Sequence, residues 1–352
     1  MPVDRPYADV RKGYTYFETG DVLVAKITPC FENGKIAQAL LPRQYGFGST
    51  EFHVVRPILG RLDGRYLHHF LRQARIRVEG ERRMTGSGGQ RRVPEDFLAH
   101  LSIPLPPLPE QRRIAAILDQ ADALRAKRRE ALAQLDSLTQ SIFVEMFGDP
   151  VENPKGWQKR QLVTICEVAS SKRVFVEELV NEGVPFYRGT EVGKLGEDQE
   201  VRPSLFISAE HYERLKNEAG VPRQGDLLLP SICPDGRIFL VESDRPFYFK
   251  DGRVLWIKAS QGSMNSLFLR YQLKRIFAKN YAQIASGTTF AELKIFALKD
   301  TELCTPPLEL QERFALIALS LNLQRSRSRS SLDELDALFA SLQHRAFAGK
   351  LS

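Results

Sequence analysis

Cysteine is sparse in this 352-residue chain, and nothing in its sequence has the spacing of a metal or catalytic centre. Cys30, Cys166, Cys233 and Cys304 stand far apart, with no C-x-x-C pair and no Cys/His cluster, which argues against structural zinc. Scattered thiols fit a reducing, cytoplasmic compartment. The six histidines show no ligand spacing, and His68-His69 reads as a pair on a helix surface. Gly34-Lys35 lacks the rest of a phosphate loop, Asn153-Pro154-Lys155-Gly156 lacks the second proline and the aromatic of an adenine methyltransferase motif, and no nucleophile elbow occurs. Pro234-Asp235 has no acidic-x-Lys partner at nuclease spacing, so Asp235 reads as a turn carboxylate. The start, Met1-Pro2-Val3-Asp4-Arg5, has no signal-peptide core, and no run reaches the ~20 apolar residues of a membrane span.

The composition is that of a globular protein, 43% hydrophobic and 26% charged. The net charge of +7 and a pI of 9.2 lean modestly toward a polyanionic partner. Length allows two or three domains.

The chain says one thing twice. Gly20-Asp21-Val22-Leu23 followed by Gly34-Lys35-Ile36 reappears as Gly225-Asp226-Leu227-Leu228 followed by Gly236-Arg237-Ile238. Pro106-Pro107-Leu108 with Gln111 and Ile117 reappears as Pro306-Pro307-Leu308 with Gln311 and Ile317. A repeat this long is a duplicated domain-plus-helix unit rather than a solenoid. The proline cluster marks a stop before a helix start, with a polyproline ligand as the alternative.

Long helices are expected from Glu110 to about Phe147 and from Glu309 to about Ala348. The first carries an apolar seam of Ile114, Ile117, Ala121, Leu124, Ala131, Leu135, Leu138 and Ile142. The second matches it with Phe314, Ile317, Leu321, Leu335, Leu338 and Leu342, and Arg325, Arg327 and Arg329 alternate with serine in its middle as a polar waist. Shorter helices are expected over Tyr66–Arg77 and from Ser266 to about Asn280. The fold class is therefore α+β: two mixed α/β domains and two long coiled-coil helices. The boundaries are 1–104, 105–149, 150–304 and 305–352.

A polyanion could be held by Arg82, Arg83, Ser87, Arg91 and Arg92 around Gly86-Ser87-Gly88-Gly89, because arginine supplies forked donors and glycine lets backbone amides approach phosphate. A solvated helix face is the alternative for the neighbouring Arg72, Arg75 and Arg77. Lys172, Arg173, Arg188 and Arg237 are the candidates in the second domain. Such residues position phosphates and do not reveal which bases are read.

With these duplicated motifs, and with Ile27-Thr28-Pro29-Cys30-Phe31-Glu32-Asn33-Gly34, Pro104-Leu105-Pro106-Pro107-Leu108-Pro109-Glu110-Gln111 and Phe143 to Trp157 in order, the chain resembles the specificity subunit of type I restriction-modification enzymes along nearly its whole length. The resemblance implies two target-recognition domains that each read half of a split duplex sequence, and antiparallel helices that set the gap and dock modification subunits. It also implies no catalysis and no cofactor on this chain; S-adenosylmethionine, ATP and Mg belong to the methyltransferase and motor-nuclease partners, in the cytoplasm and without a membrane. The alternative is a remnant acting only as a coiled-coil scaffold. Gly225 lies 69 positions after Gly156 whereas only 19 residues precede Gly20, so the first recognition domain is expected to lack about fifty residues and to expose apolar surface.

Overall fold

Gly20 and Gly225 take positive φ, 99° and 93°, and the buried aspartate after each closes the same turn. Asp21 accepts from the Glu18 amide at 2.7 Å and Asp226 from the Arg223 amide at 2.9 Å. Each carboxylate also ties the following strand to its sheet. Asp21 takes both prongs of Arg56 at 2.8 Å, and Asp226 accepts from Trp256 Nε1 and the Ala259 amide, also at 2.8 Å.

The computed structural model describes residues 4–87, 89–259, 262–287 and 291–351. Gly88, Thr288 and Thr289, from the two glycine- and threonine-bearing turns, lie outside the described residues. The chain divides into two units, Met1–Leu132 with Arg327–Ser352, and Ala133–Ser326.

In the first unit the strand Val22–Ala25 is central, antiparallel to Ile36–Gln38 and to Phe52–Val55. Val22 and Val24 pack with Phe31, Tyr66, Phe70 and Phe97. A separate ribbon pairs Thr15–Glu18 with Tyr45–Gly48 and carries exposed Tyr16 and Tyr45. The helix expected over Tyr66–Arg77 is two helices, Gly64–Leu71 and Ala74–Arg82. Gln73 breaks it: its backbone is extended and its side-chain amide donates to the Phe70 carbonyl. His69 is buried, correcting the surface-pair reading, and its Nε2 lies 2.9 Å from Asp119 Oδ1.

In the second unit Leu227–Pro230 and Val254–Ile257 form the middle of a four-stranded antiparallel sheet, flanked by Phe239–Leu240 and Val168–Ala169. A second four-stranded sheet holds Tyr248–Phe249, Val184–Tyr187, Phe206–Ile207 and Leu179–Val180. The helix Ser266–Ile284 supplies Leu267, Phe268, Leu273, Ile276 and Phe277 to the core.

The two long helices span Leu108–Phe147 and Leu308–Phe347, each 40 residues without a break, so Arg325, Arg327 and Arg329 are helical. They pack antiparallel. In the first unit Arg125 meets Asp336 at 2.5 Å; in the second Arg325 meets Asp136 at 2.9 Å and Phe143 meets Phe314. Each helix is fastened at its start by a buried glutamine. Gln111 Oε1 accepts from the amide of Asp63, the cap of the helix Gly64–Leu71, while its Nε2 donates to the Arg61 and Pro106 carbonyls. Gln311 Oε1 accepts from the amide of Asn265, the cap of Ser266–Ile284, and its Nε2 donates to the Pro306 carbonyl.

The seam needs correction at alternate positions. Ile114 and Phe314 are buried, and Ile117, Leu135, Ile142, Ile317, Leu321, Leu335 and Leu342 half-buried, but Leu124, Leu138 and Leu338 are 54%, 46% and 51% exposed. The inward heptad line runs 114, 118, 121, 125, 128, 132, 135, 139 and 142. Arg125 and Thr139 sit on it, whereas the leucines just before them face out.

Two outcomes are expected. Leu118→Ala, at a position with 0% exposure, should destabilise the first unit by about 2–5 kcal/mol, whereas Leu124→Ala should change it by less than about 0.5 kcal/mol; urea unfolding distinguishes them. Burial, aided by Arg72, holds the His68 imidazole down at about 4, and burial also lowers His69 against the pull of Asp119. The unfolded chain therefore takes up protons first, so the first unit should keep its full stability above pH ~6.5 and lose it progressively on acidification toward pH ~4. His68→Gln should flatten that part of a melting-temperature profile against pH.

Candidate nucleic-acid interface

The arginine-rich loop of the first unit is gripped at its neck. Thr85 and Arg92 exchange both backbone hydrogen bonds, at 3.0 and 2.8 Å, and the Val93 amide donates to the Lys26 carbonyl at 2.9 Å. The Thr28 amide donates to the Arg91 carbonyl at 2.9 Å, with the Thr28 hydroxyl oxygen 3.2 Å from the same carbonyl, which brings the Ile27-Thr28-Pro29-Cys30 segment against the loop. Gly86, at φ 132°, turns the chain where a β-carbon would stand 2.7 Å from the Gln90 carbonyl oxygen.

The side chains differ in how they are held. Arg92 presents Nε and Nη2 to both oxygens of Glu51, at 2.9 and 2.8 Å. That pairing raises the guanidinium and lowers the carboxyl from their ordinary ranges. Arg91 makes one 3.4 Å contact with Glu32, a carboxylate that also accepts from the Thr28 hydroxyl. Arg83 pairs with Glu79 and lies 5.2 Å over the Phe97 ring, and Arg82 and Ser87 are exposed. The structure thus gathers Arg91 and Arg92 at one neck and leaves Arg82 and Arg83 at the end of the helix Ala74–Arg82. Glu79 is a local i,i+4 partner of Arg83, but the carboxylate partners of Arg91 and Arg92 were not legible locally, because Glu32 and Glu51 lie 59 and 41 residues away in sequence.

The second unit repeats the neck with other side chains. Ser286 pairs with Glu292, and the Leu293 amide donates to the Ser231 carbonyl at 2.6 Å. Tyr281 locks it from below: its hydroxyl oxygen accepts from the buried Cys233 amide at 2.9 Å and lies 3.2 and 3.1 Å from the Ser231 and Ala291 carbonyls. The predicted cations are spread over the unit. Lys172 pairs with Glu218, Arg173 with Asp251 at 3.0 Å, Arg188 with Glu191 at 2.7 Å, and Arg237 with Asp235 at 2.9 Å. Arg188 and Arg237 both border the short helix Gly189–Gly196, the Arg237 backbone passing against Gly196 and its guanidinium near Gly193. Sequence reasoning missed Lys274, which packs against Gly236; burial, then Arg270, pushes its ammonium down to about 8. Among the described residues no group of three or more His, Cys, Asp or Glu side chains could hold a metal, and no helix is long and apolar enough to cross a membrane.

With the duplicated fold, turn and neck established, comparison with known proteins decides the family. The model of the type I restriction modification DNA specificity domain matches residues 8–134 and 154–318. The chain belongs to that family. It is 41% identical over 140 residues to the type I restriction enzyme EcoAI specificity subunit of Escherichia coli, a match covering 39% of this chain and 24% of that protein. It is 27% identical over 321 residues to the putative type I restriction enzyme specificity subunit S.HindORF215P of Haemophilus influenzae, covering 88% of this chain and 76% of that one. Solved folds also match in three dimensions. A chain from a type I R-M system, solved for its complex assembly and conformational transition, aligns with a TM-score of 0.56, 23% identity, and coverage of 97% and 85% of the two chains. The S subunit of the M. genitalium type I system gives 0.55, with 16% identity, over 95% and 84%.

Tyr281→Phe should leave the buried Cys233 amide unpaired, destabilise the second unit by about 1–3 kcal/mol, and speed amide exchange at Ser286 and Glu292 relative to the helix Ser266–Ile284.

Proposed function

We propose that this specificity subunit binds a bipartite DNA duplex, each recognition fold reading one half-sequence, and docks the methyltransferase subunits along its paired helices. The motor-nuclease subunit joins through those partners. One observation carries the reading: two units built on the same sheet, Gly-Asp turn, gripped loop and glutamine-anchored helix, in a chain of the specificity family. Duplication of a reader suits a target with two parts, and a split site lets each half contribute its own phosphate and base contacts. On this reading the chain performs no chemistry. S-adenosylmethionine, ATP and Mg are used by its partners, and the assembly works in the cytoplasm.

Co-expression with a type I modification subunit, followed by mapping of methylated adenines, tests the proposal. Methylation within one asymmetric, gapped sequence is the expected result. A partner that co-purifies while no adenine is methylated would replace this reading with that of a coiled-coil scaffold.

A further inference from the structure

The two necks contain the same ion pair with its charges exchanged. In the first unit Ala25 is paired with Phe52, and the residue before Phe52, Glu51, holds Arg92 at the neck. In the second unit the equivalent register pairs Pro230 with Val254, and the residue before Val254, Arg253, faces Glu292 across the neck with Nη1 3.9 Å from Oε1, while Lys294 holds the other oxygen of Glu292 more closely at 2.5 Å. Arg92 and Glu292 occupy the same place. Each exchanges backbone hydrogen bonds with the residue across the neck, Thr85 or Ser286, and each is followed by the amide that donates to the preceding strand's extension, Lys26 or Ser231.

A phosphate contact does not survive replacement by a carboxylate, because like charges repel. A structural ion pair does survive inversion, since either arrangement satisfies both groups. We infer that Arg92 is a positioning residue: with Glu51 it clamps the neck and fixes how the loop projects, while Arg91 is the residue the neck holds out to the polyanion. This rests on the DNA-binding reading above and divides two arginines that composition alone places together. Arg91 suits its part, since its carboxylate contact is single and long at 3.4 Å, whereas Arg92 is held by two bonds of 2.9 and 2.8 Å. Phosphate can displace Glu32 from it without dismantling the neck, whose backbone bonds lie elsewhere.

The test is a charge swap in the full chain, which makes the first neck resemble the second. Glu51→Arg and Arg92→Glu singly should each speed amide exchange at Thr85 and Arg92 and weaken binding to a random-sequence duplex pool by roughly tenfold or more, the loss of one charge-assisted hydrogen-bonded pair. The double variant should recover both exchange protection and affinity, with an unchanged dependence of binding on salt. Arg91→Ala should leave neck exchange unchanged and make the slope of log K against log[salt] shallower by ~0.9, one phosphate's share. Failure of the double variant to restore neck protection overturns the clamp. Restored protection with a shallower salt slope overturns it as well, by making Arg92 a phosphate contact. An intact chain that binds no duplex, with neck protection restored in the double variant, overturns the DNA reading and the role of Arg91 and leaves the clamp standing.

Discussion

Two glutamine side chains determine where the long helices begin and what they carry. Gln111 and Gln311 are each 1% exposed, and each turns its amide between the carbonyl of the preceding proline segment and the backbone cap of an earlier helix in its own unit. A primary amide is the one neutral side-chain group that donates and accepts across a planar fork, so it can satisfy two buried backbone groups facing opposite ways. Charge at that depth would be costly and an apolar replacement would orphan both partners. Because the latch fixes the first turn of a rigid helix, it fixes the register of every residue after it. The matching burial strings of the two helices, position by position at an offset of 200, follow from that shared starting point.

Further along, each unit closes its helix pair with an arginine on the inward line. Arg125 reaches Asp336 and lies 4.3 Å over the Phe339 ring; Arg325 reaches Asp136 and Asp198. The pair is the same one with the helices' roles exchanged. A guanidinium in a seam buries its stem against apolar neighbours and keeps its head paired, which favours one register over a slip by a heptad. A leucine at these two positions would pack comparably in several registers.

Much of this was legible in the sequence because it is periodic or local. The proline stops, the helices' 40-residue reach, the Gly-Asp turns and the duplicated order all leave marks within a few residues. The seam was legible only at every second position. Ile114, Leu118, Ala121, Leu135 and Ile142 are both apolar and inward, but at positions 125 and 139 polarity and direction part company. Arg125 and Thr139 face in through ion pairing and a back-bond to the Leu135 carbonyl, while Leu124 and Leu138 face out. A hydrophobic pattern cannot show that, since the deciding partner of Arg125 lies 211 residues away. The loop arginines were legible as a cluster and not as individuals, for the same reason: Glu32 and Glu51 become neighbours only when the sheet forms.

Duplication also explains where the two units differ. The helix face that meets the recognition fold in the first unit is charged, with Asp119 against His69 and Arg65, and Asp122 against Arg72. The corresponding places in the second unit hold Leu319 and Asn322, with Asn322 toward the Tyr271 hydroxyl and Lys274 where Arg72 stands. Two folds with equal latches and equal heptads could otherwise accept either helix. Setting Leu319 against His69 would strand a buried imidazole N–H. The backbone contacts that the two halves share give the helix its place in the fold, and the polar contacts they do not share give each fold its own helix.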